Sequence, residues 1–262
     1  MPFRHTLQSN RFEFKYVIDE NCARAARDFA LAYLEPDEHA LDKPNHEYGI
    51  CSLYLDSPDM ALCRATLHGD RNRFKLRIRF YEDRVDAPAY VEIKRRMNSV
   101  ICKQRATVRR AAIPRLLGGR LPEPSDLCAS GDGNFGPLER FCGLASTIGA
   151  EGRLFVSYMR EAYVTRNDNS VRVTFDRRLA AGRYRGELKL SETADWVRPR
   201  VGGVILEIKF TDRFPIWLRE MVRVFDLERR SVAKYVVCAR ELARLGVPLG
   251  RTVLPGREEA RT

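Results

Sequence analysis

From Arg73 to Tyr81 every second residue is charged or phenolic (Arg73, Lys75, Arg77, Arg79, Tyr81), and every residue between is apolar (Phe74, Leu76, Ile78, Phe80). A period of two puts alternate side chains on opposite faces of an extended strand; the turn of a helix would mix the two sets. The segment therefore has to be a strand with one apolar face and one cationic face. The same phase recurs elsewhere. In residues 11–17 Arg11, Glu13 and Lys15 alternate with Phe12, Phe14 and Tyr16; Glu92 and Lys94 stand opposite Val91 and Ile93 in residues 90–96; Glu207 and Lys209 stand opposite Leu206, Ile208 and Phe210 in residues 204–211. Further strand-like runs are residues 50–55, 100–109 with Lys103 and Arg105, 154–165 with Tyr158 and Arg160 in phase, 171–176 with Arg172, Thr174 and Asp176 in phase, and 184–190.

Helical spacing appears in fewer places. Residues 20–35 carry Ala23, Ala26, Phe29, Ala30, Tyr33 and Leu34 on one stripe and stop at Pro36. Asp56, Ser57 and Pro58 open a brief helix that carries Arg64. Two more helices, residues 215–227 and 231–245, close the chain. Residues 113–152 change character to a short helix, a Pro/Gly/Ser/Asp-rich loop and a second short helix, an insertion between two halves of one sheet system. The expected fold class is α+β: an N-terminal arm (1–10), a single domain (11–245) with an insertion (113–152), and a flexible tail (246–262).

An antiparallel sheet with one wet face explains any single strand of this kind. Taken together, at least six strands put Lys, Arg and Glu on the polar face with scarcely any Ser, Asn, Gln or Asp. The chain has 46 Lys plus Arg against 35 Asp plus Glu, a net charge of +11. Only eight of the 46 cations are lysine, and seven of those eight, all but Lys43, fall on expected strands or at Lys234. Cations this dense repel one another unless an anion sits among them, so a closed or strongly curved antiparallel sheet with a basic interior is the expectation.

Guanidinium forks grip phosphate oxygens in pairs and lysine adds compact point charges, so a run of phosphates suits such a lining. Three glutamates share its phase, Glu13, Glu92 and Glu207. Their pattern leaves two roles open, ligands of a divalent metal or salt-bridge partners of the neighbouring cations. Seven cysteines without a CxxC pair indicate neither a disulfide framework nor a zinc site. No apolar run has the length of a membrane span, and residues 1–10 lack the apolar core of a signal peptide, so a cytoplasmic location is expected. Nucleic acid is not the expected partner, because the cations alternate with core residues and form no aromatic stacking platform.

The run Arg11-x-Glu13-x-Lys15-Tyr16, the Leu53–Asp56 strand followed by a helix with Arg64, and Lys75-Leu76-Arg77-Ile78-Arg79-Phe80-Tyr81 are followed by Val91-Glu92-Ile93-Lys94 and Tyr158-x-Arg160. Then come Val171-Arg172-x-x-x-Asp176, Leu206-Glu207-Ile208-Lys209 and Ser231-Val232-Ala233-Lys234-Tyr235. In this order over about residues 10 to 240 the chain resembles VTC domains, the polyphosphate polymerase domains of the vacuolar transporter chaperone type within the triphosphate tunnel metalloenzyme (CYTH-like) superfamily. The resemblance implies a closed antiparallel β-barrel tunnel with flanking helices and a C-terminal helix. It implies that Lys15, Arg64, Arg77, Arg79, Lys94, Lys103, Arg160, Arg172, Lys209 and Lys234 contact phosphates and that Tyr158 lies near the nucleotide. By the same resemblance Arg77, Arg79, Lys94, Lys209 and Glu207 would form the catalytic set. Glu207, with Glu13 and Glu92, would hold Mn²⁺ or Mg²⁺.

The implied reaction moves the γ-phosphoryl group of ATP to a growing polyphosphate chain and releases ADP. Arg11 replaces the first glutamate of the superfamily's ExExK motif, as in the VTC branch, and Ser231 stands where the eukaryotic polymerase has a lysine. Neither the SPX domain nor the membrane helices of the eukaryotic complex are expected here. A triphosphatase on the same fold and a non-catalytic polyphosphate binder are the alternatives.

Overall fold

The computed structural model describes residues 11–98, 100–129, 131, 133–166, 168, 170–188, 190–192 and 194–251. The expected arm (1–10), Lys189 and residues 252–262 of the expected tail lie outside them. Nine strands form in chain order among the described residues: β1 (Arg11–Ile18), β2 (Leu34–Pro36), β3 (Glu47–Asp56), β4 (Asn72–Phe80), β5 (Ala89–Met97), β6 (Val100–Val108), β7 (Glu151–Thr165), β8 (Val171–Arg183) and β9 (Val204–Thr211). The helices are α1 (Glu20–Ala30), α2 (Ala61–Leu67), α3 (Ile113–Leu117), α4 (Gly136–Thr147), α5 (Ile216–Val224) and α6 (Lys234–Arg244). No helix among these residues is long and apolar enough to cross a membrane.

The chain forms two compact units. Among the described residues, one comprises 11–49, 158–179 and 200–232; the other comprises 50–157, 180–199 and 233–251. In the first unit, β1 pairs antiparallel with β9 and β9 with β8. Their apolar phase (Tyr16, Val173, Phe175, Leu206, Ile208) is buried beneath α1 and α5. Helix α1 starts where Asp19 accepts a hydrogen bond from the Cys22 N–H at 2.9 Å, and it buries Ala23, Ala26 and Ala30. It ends at Ala30 rather than near Glu35, because Leu34–Pro36 is taken into the sheet opposite Tyr163–Thr165. Pro36 fits there as the last residue of a three-residue strand.

In the second unit β3, β4, β5 and β6 form an antiparallel meander. Leu53, Leu76, Ile78, Val91, Ile93 and Ala106 pack from its apolar face against Ile113 of α3 and Leu138 and Phe141 of α4. Each fully buried Leu, Ile or Phe of this kind contributes about 1.5–3 kcal/mol relative to exposure.

Two further expectations need correction. Residues 184–190 form no strand among the described residues. Instead β8 runs on to Arg183, where Ala181 exchanges two 2.8 Å hydrogen bonds with Val197. At Gly182 the Trp196 indole packs so closely on the backbone that a Cβ would overlap it. The apolar phase of Tyr184, Leu188 and Leu190 serves packing on the second unit's core, with Tyr184 edge-on to Phe155 at 5.7 Å.

The second correction concerns closure. The hydrogen-bonded order is β1-β9-β8-β7-β3-β4-β5-β6, and hydrogen bonds do not close it into a barrel. Each terminal strand spends its outer edge on a short non-strand segment. Arg230 N–H donates to the Lys15 carbonyl at 2.8 Å beside a Tyr16–Arg229 bridge. On β6 the Cys128 N–H donates to Thr107 O at 3.0 Å beside a Val108–Leu127 bridge. Covering an edge in this way removes the groups a further strand would need. Near the chain end, Leu249 is buried and the Arg251 N–H donates to Pro58 O at 2.6 Å.

Candidate active site

In the first unit, strand register brings the charged phases of β1, β9 and β8 side by side. Glu13 stands opposite Lys209 and Lys15 opposite Glu207; across β9, Lys209 faces Arg172 and Glu207 faces Thr174. Lys15 Nζ lies 3.1 Å from Glu13 Oε1 and 3.2 Å from Glu207 Oε1, and it donates to the Val232 carbonyl at 3.1 Å. The other oxygen of Glu207 takes Lys209 at 3.1 Å and Arg160 at 3.5 Å. One carboxylate thus touches three cations. Burial works against the Lys15 ammonium, but Glu207 and Glu13 outweigh it and raise its pKa above the ordinary lysine value.

Arg160 is held on two sides. Its guanidinium donates to both oxygens of Asp176 at 2.6 and 2.7 Å and lies over the Tyr158 ring at 5.2 Å. Both side chains of the pair are almost wholly buried. Arg172 pairs with Asp37 and donates to the Tyr48 hydroxyl at 3.2 Å, which itself donates to Asp37. Two buried oxygens here have no hydrogen-bond partner among the described residues, Asp37 Oδ1 and Thr174 Oγ1.

The second unit carries the other cationic face. Across β4, β5 and β6 the rungs are Arg77–Glu92–Arg105, then Lys75–Lys94–Lys103, then Arg73–Arg96. Glu92 is fully buried and accepts from Arg77 Nε at 2.6 Å and Arg105 Nε at 2.7 Å, with Lys103 Nζ at 2.8 Å. Burial opposes the charge on Glu92, but Arg77, Arg79, Lys103 and Arg105 hold its carboxyl well below the usual range. Lys103 shows the reverse. Desolvation of its ammonium end, with repulsion from Arg105, Arg77 and Arg79, pushes its pKa well below that of an ordinary lysine despite Glu92, although 44% of its side chain meets solvent. Arg79 is buried and donates to Ser52 Oγ at 3.3 Å. Tyr54 and Tyr81 accept from Arg77 and Arg105, each at 3.2 Å.

Arg64 and Lys234 also belong to this unit, and one carboxylate organises both. Fully buried Asp56 accepts the N–H groups of Ser57, Leu62 and Cys63 at 2.8–2.9 Å, which starts α2, and the Tyr235 hydroxyl at 2.6 Å, which docks α6. Tyr235 stacks on Tyr54 at 4.6 Å. Arg64 follows one turn into α2 and pairs with Asp59; Lys234, nearly buried, directly precedes Tyr235.

The chain matches the VTC domain family model over residues 10–243, a span that holds every residue just placed. The chain belongs to the VTC domain family. No curated protein matches it. Among solved structures, a provisionally named adenylate cyclase of Bacillus halodurans is similar, with 11% identity, 87% of this chain and 96% of that chain covered, and a TM-score of 0.49.

A divalent metal fits one of this VTC domain's two carboxylate settings. Glu207 and Glu13 converge on one ammonium, and the orphaned Thr174 hydroxyl stands in register with Glu207. Each carboxylate has about four lone-pair sites, so it can keep its lysine and still bind a metal. A hard divalent ion commonly takes one or two carboxylates and completes its shell with water and substrate phosphates. Glu92 does not fit. Three cations within 2.8 Å already take its charge and would repel a metal. No group of three or more His, Cys, Asp or Glu suited to a metal occurs among the described residues.

Of the expected phosphate contacts, Lys15, Arg160, Arg172 and Lys209 gather in the first unit, with Tyr158 and Glu207. Arg77, Arg79, Lys94 and Lys103 gather in the second. Sequence reasoning placed Arg105 on the strand of Lys103 and in its phase but gave it no part in the site, where it pairs with Glu92. It read Asp56 as opening α2 but not as holding α6, and it gave no pairing role to Asp37 or Asp176, the acids that aim Arg172 and Arg160.

Proposed function

We propose that this VTC domain is a metal-dependent polyphosphate polymerase. A terminal oxygen of the growing chain forms a bond to the γ-phosphorus of ATP, the bond from that phosphorus to the β,γ-bridging oxygen breaks, and ADP leaves. The observation that carries the reading is the match to the VTC domain family across a chain whose strand faces set three cations around each of Glu92 and Glu207. Family membership supports the coarser role, phosphoryl transfer on triphosphate-type substrates; the cation-rich faces support binding of a phosphate chain.

Phosphoryl transfer passes through a loose transition state, so catalysis is mostly positioning and charge neutralisation. Asp176 and Tyr158 fix the Arg160 fork, Asp37 and Tyr48 fix Arg172, and both forks suit phosphate oxygens. Lys15 and Lys209 exchange part of their contact with Glu207 for phosphate. Mn²⁺ or Mg²⁺, held by Glu207 with Glu13, would neutralise charge on the β and γ oxygens.

Purified protein incubated with ATP and Mn²⁺ is expected to make long, acid-labile chains visible on a polyphosphate-stained gel. Glu207→Ala is expected to abolish that synthesis while leaving the circular dichroism spectrum unchanged. Release of orthophosphate or pyrophosphate without polymer would replace the polymerase reading with a triphosphatase, and retention of polyphosphate without ATP consumption would replace it with a binder.

A further inference from the structure

The cationic face of β4, β5 and β6 does not stop where the expected phosphate contacts stop. One rung beyond Lys75–Lys94–Lys103, Arg73 stands directly opposite Arg96. Like charges facing across a ladder are destabilising. Neither arginine has a carboxylate at ion-pair distance among the described residues: Arg73 donates to the Asp70 carbonyl and Arg96 Nε to the Asn98 carbonyl at 2.7 Å. By strand phase the whole face carries eight cations and one carboxylate, Glu92, and that acid is already claimed by Arg77, Lys103 and Arg105. The cationic excess therefore grows toward the Arg73–Arg96 end.

The length of this row indicates what it holds. From Arg79 to Arg73 is six residue steps, about 20 Å along a strand. The rungs repeat cations along the strand axis, which suits a ligand whose negative charge also repeats along a line. The face offers no aromatic side chain at the Arg73–Arg96 end, so bases would find nothing to stack on. Arg96 is exposed and Arg73 half-buried, so a chain longer than the inner rungs can lie over this end.

Resting on the reading of this site as one for phosphate chains, we propose that Arg73 and Arg96 form an outer subsite for a linear polyphosphate chain, engaged by long chains and not by triphosphate. The outer rung gives preference by length: a short ligand is saturated by the inner rungs, and a long one gains two further guanidinium contacts.

The test compares wild type with the Arg73→Gln/Arg96→Gln double variant, measuring binding of tripolyphosphate and of long-chain polyphosphate across a NaCl series. Expected are an unchanged tripolyphosphate affinity, about tenfold weaker binding of the long chain at low salt, and a salt slope for the long chain reduced by about one per arginine removed. The melting temperature is expected to stay level or rise, since a like-charge pair is removed. Equal loss for both ligands, or loss for neither, overturns the outer subsite alone. A wild-type protein that binds neither ligand overturns the phosphate-chain reading beneath it. A single-stranded oligonucleotide that displaces long polyphosphate from wild type at equal charge concentration overturns the choice of ligand.

Discussion

Glu92 shows how one carboxylate can matter more to folding than to chemistry. It is fully buried, and Arg77, Lys103 and Arg105 all point at it. Glu92→Gln removes the shared counter-charge, and breaking a buried ion pair from one side costs about 3 kcal/mol. Urea unfolding is expected to show that loss, with much of it recovered when tripolyphosphate is added to take the glutamate's place among the cations. The sign with pH follows from the depressed pKa of Glu92. Its stabilisation is complete above the unfolded value of about 4.3 and is lost only as pH falls through the lower folded value. The gap between wild type and variant should hold from pH 7 to pH 5 and narrow well below pH 4; a gap that vanishes by pH 5 would contradict the assignment. Asp176 acts through Arg160. Asp176→Asn keeps the shape but weakens the two-pronged hold, so kcat is expected to drop by about tenfold or more with a smaller change in KM for ATP.

Elements place these residues through a few buried acids. Asp56 caps α2 with backbone bonds and holds α6 through Tyr235, so a single carboxylate sets the positions of Arg64 and Lys234. Tyr235→Phe leaves Asp56 short of one partner in a fully buried site, at a cost of about 1–3 kcal/mol. Thermal unfolding should report that cost, and ATP affinity should weaken although the phenol touches no phosphate; an affinity unchanged at full occupancy of the folded state would separate α6 docking from substrate binding. The strand elements were legible in the sequence because period-two alternation is a local property of extended backbone. Residues 204–211 were read with the bounds they have. Residues 184–190 were misread because Tyr184, Leu188 and Leu190 turn apolar side chains onto the second unit's core, which mimics a strand's phase without a ladder. Helix α1 was read too long because nothing local announces that Leu34–Pro36 will pair with β7.

At the scale of the molecule, a net charge of +11 is a standing cost to compactness that a polyanion relieves. A ligand at about a hundred times its Kd stabilises a folded protein by about 2.7 kcal/mol. Tripolyphosphate at such concentrations should therefore raise the melting temperature by several degrees at low salt, an effect that shrinks as NaCl is raised; an equal rise with sulfate at matched ionic strength would point to general screening instead. The sequence by itself determined the alternating phase of the charges on β1, β4, β5 and β9, the α+β class and the ordered motifs of a VTC domain, because each is written in neighbours along the chain. Only the tertiary structure decided that Glu92 answers Arg77, Lys103 and Arg105 while Glu207 answers Lys15, Lys209 and Arg160, and that the edges of β1 and β6 are covered by short segments around Arg230 and Cys128. Register and edge pairing join residues far apart in sequence. A shift of one residue in either would leave every local pattern intact and change every partner.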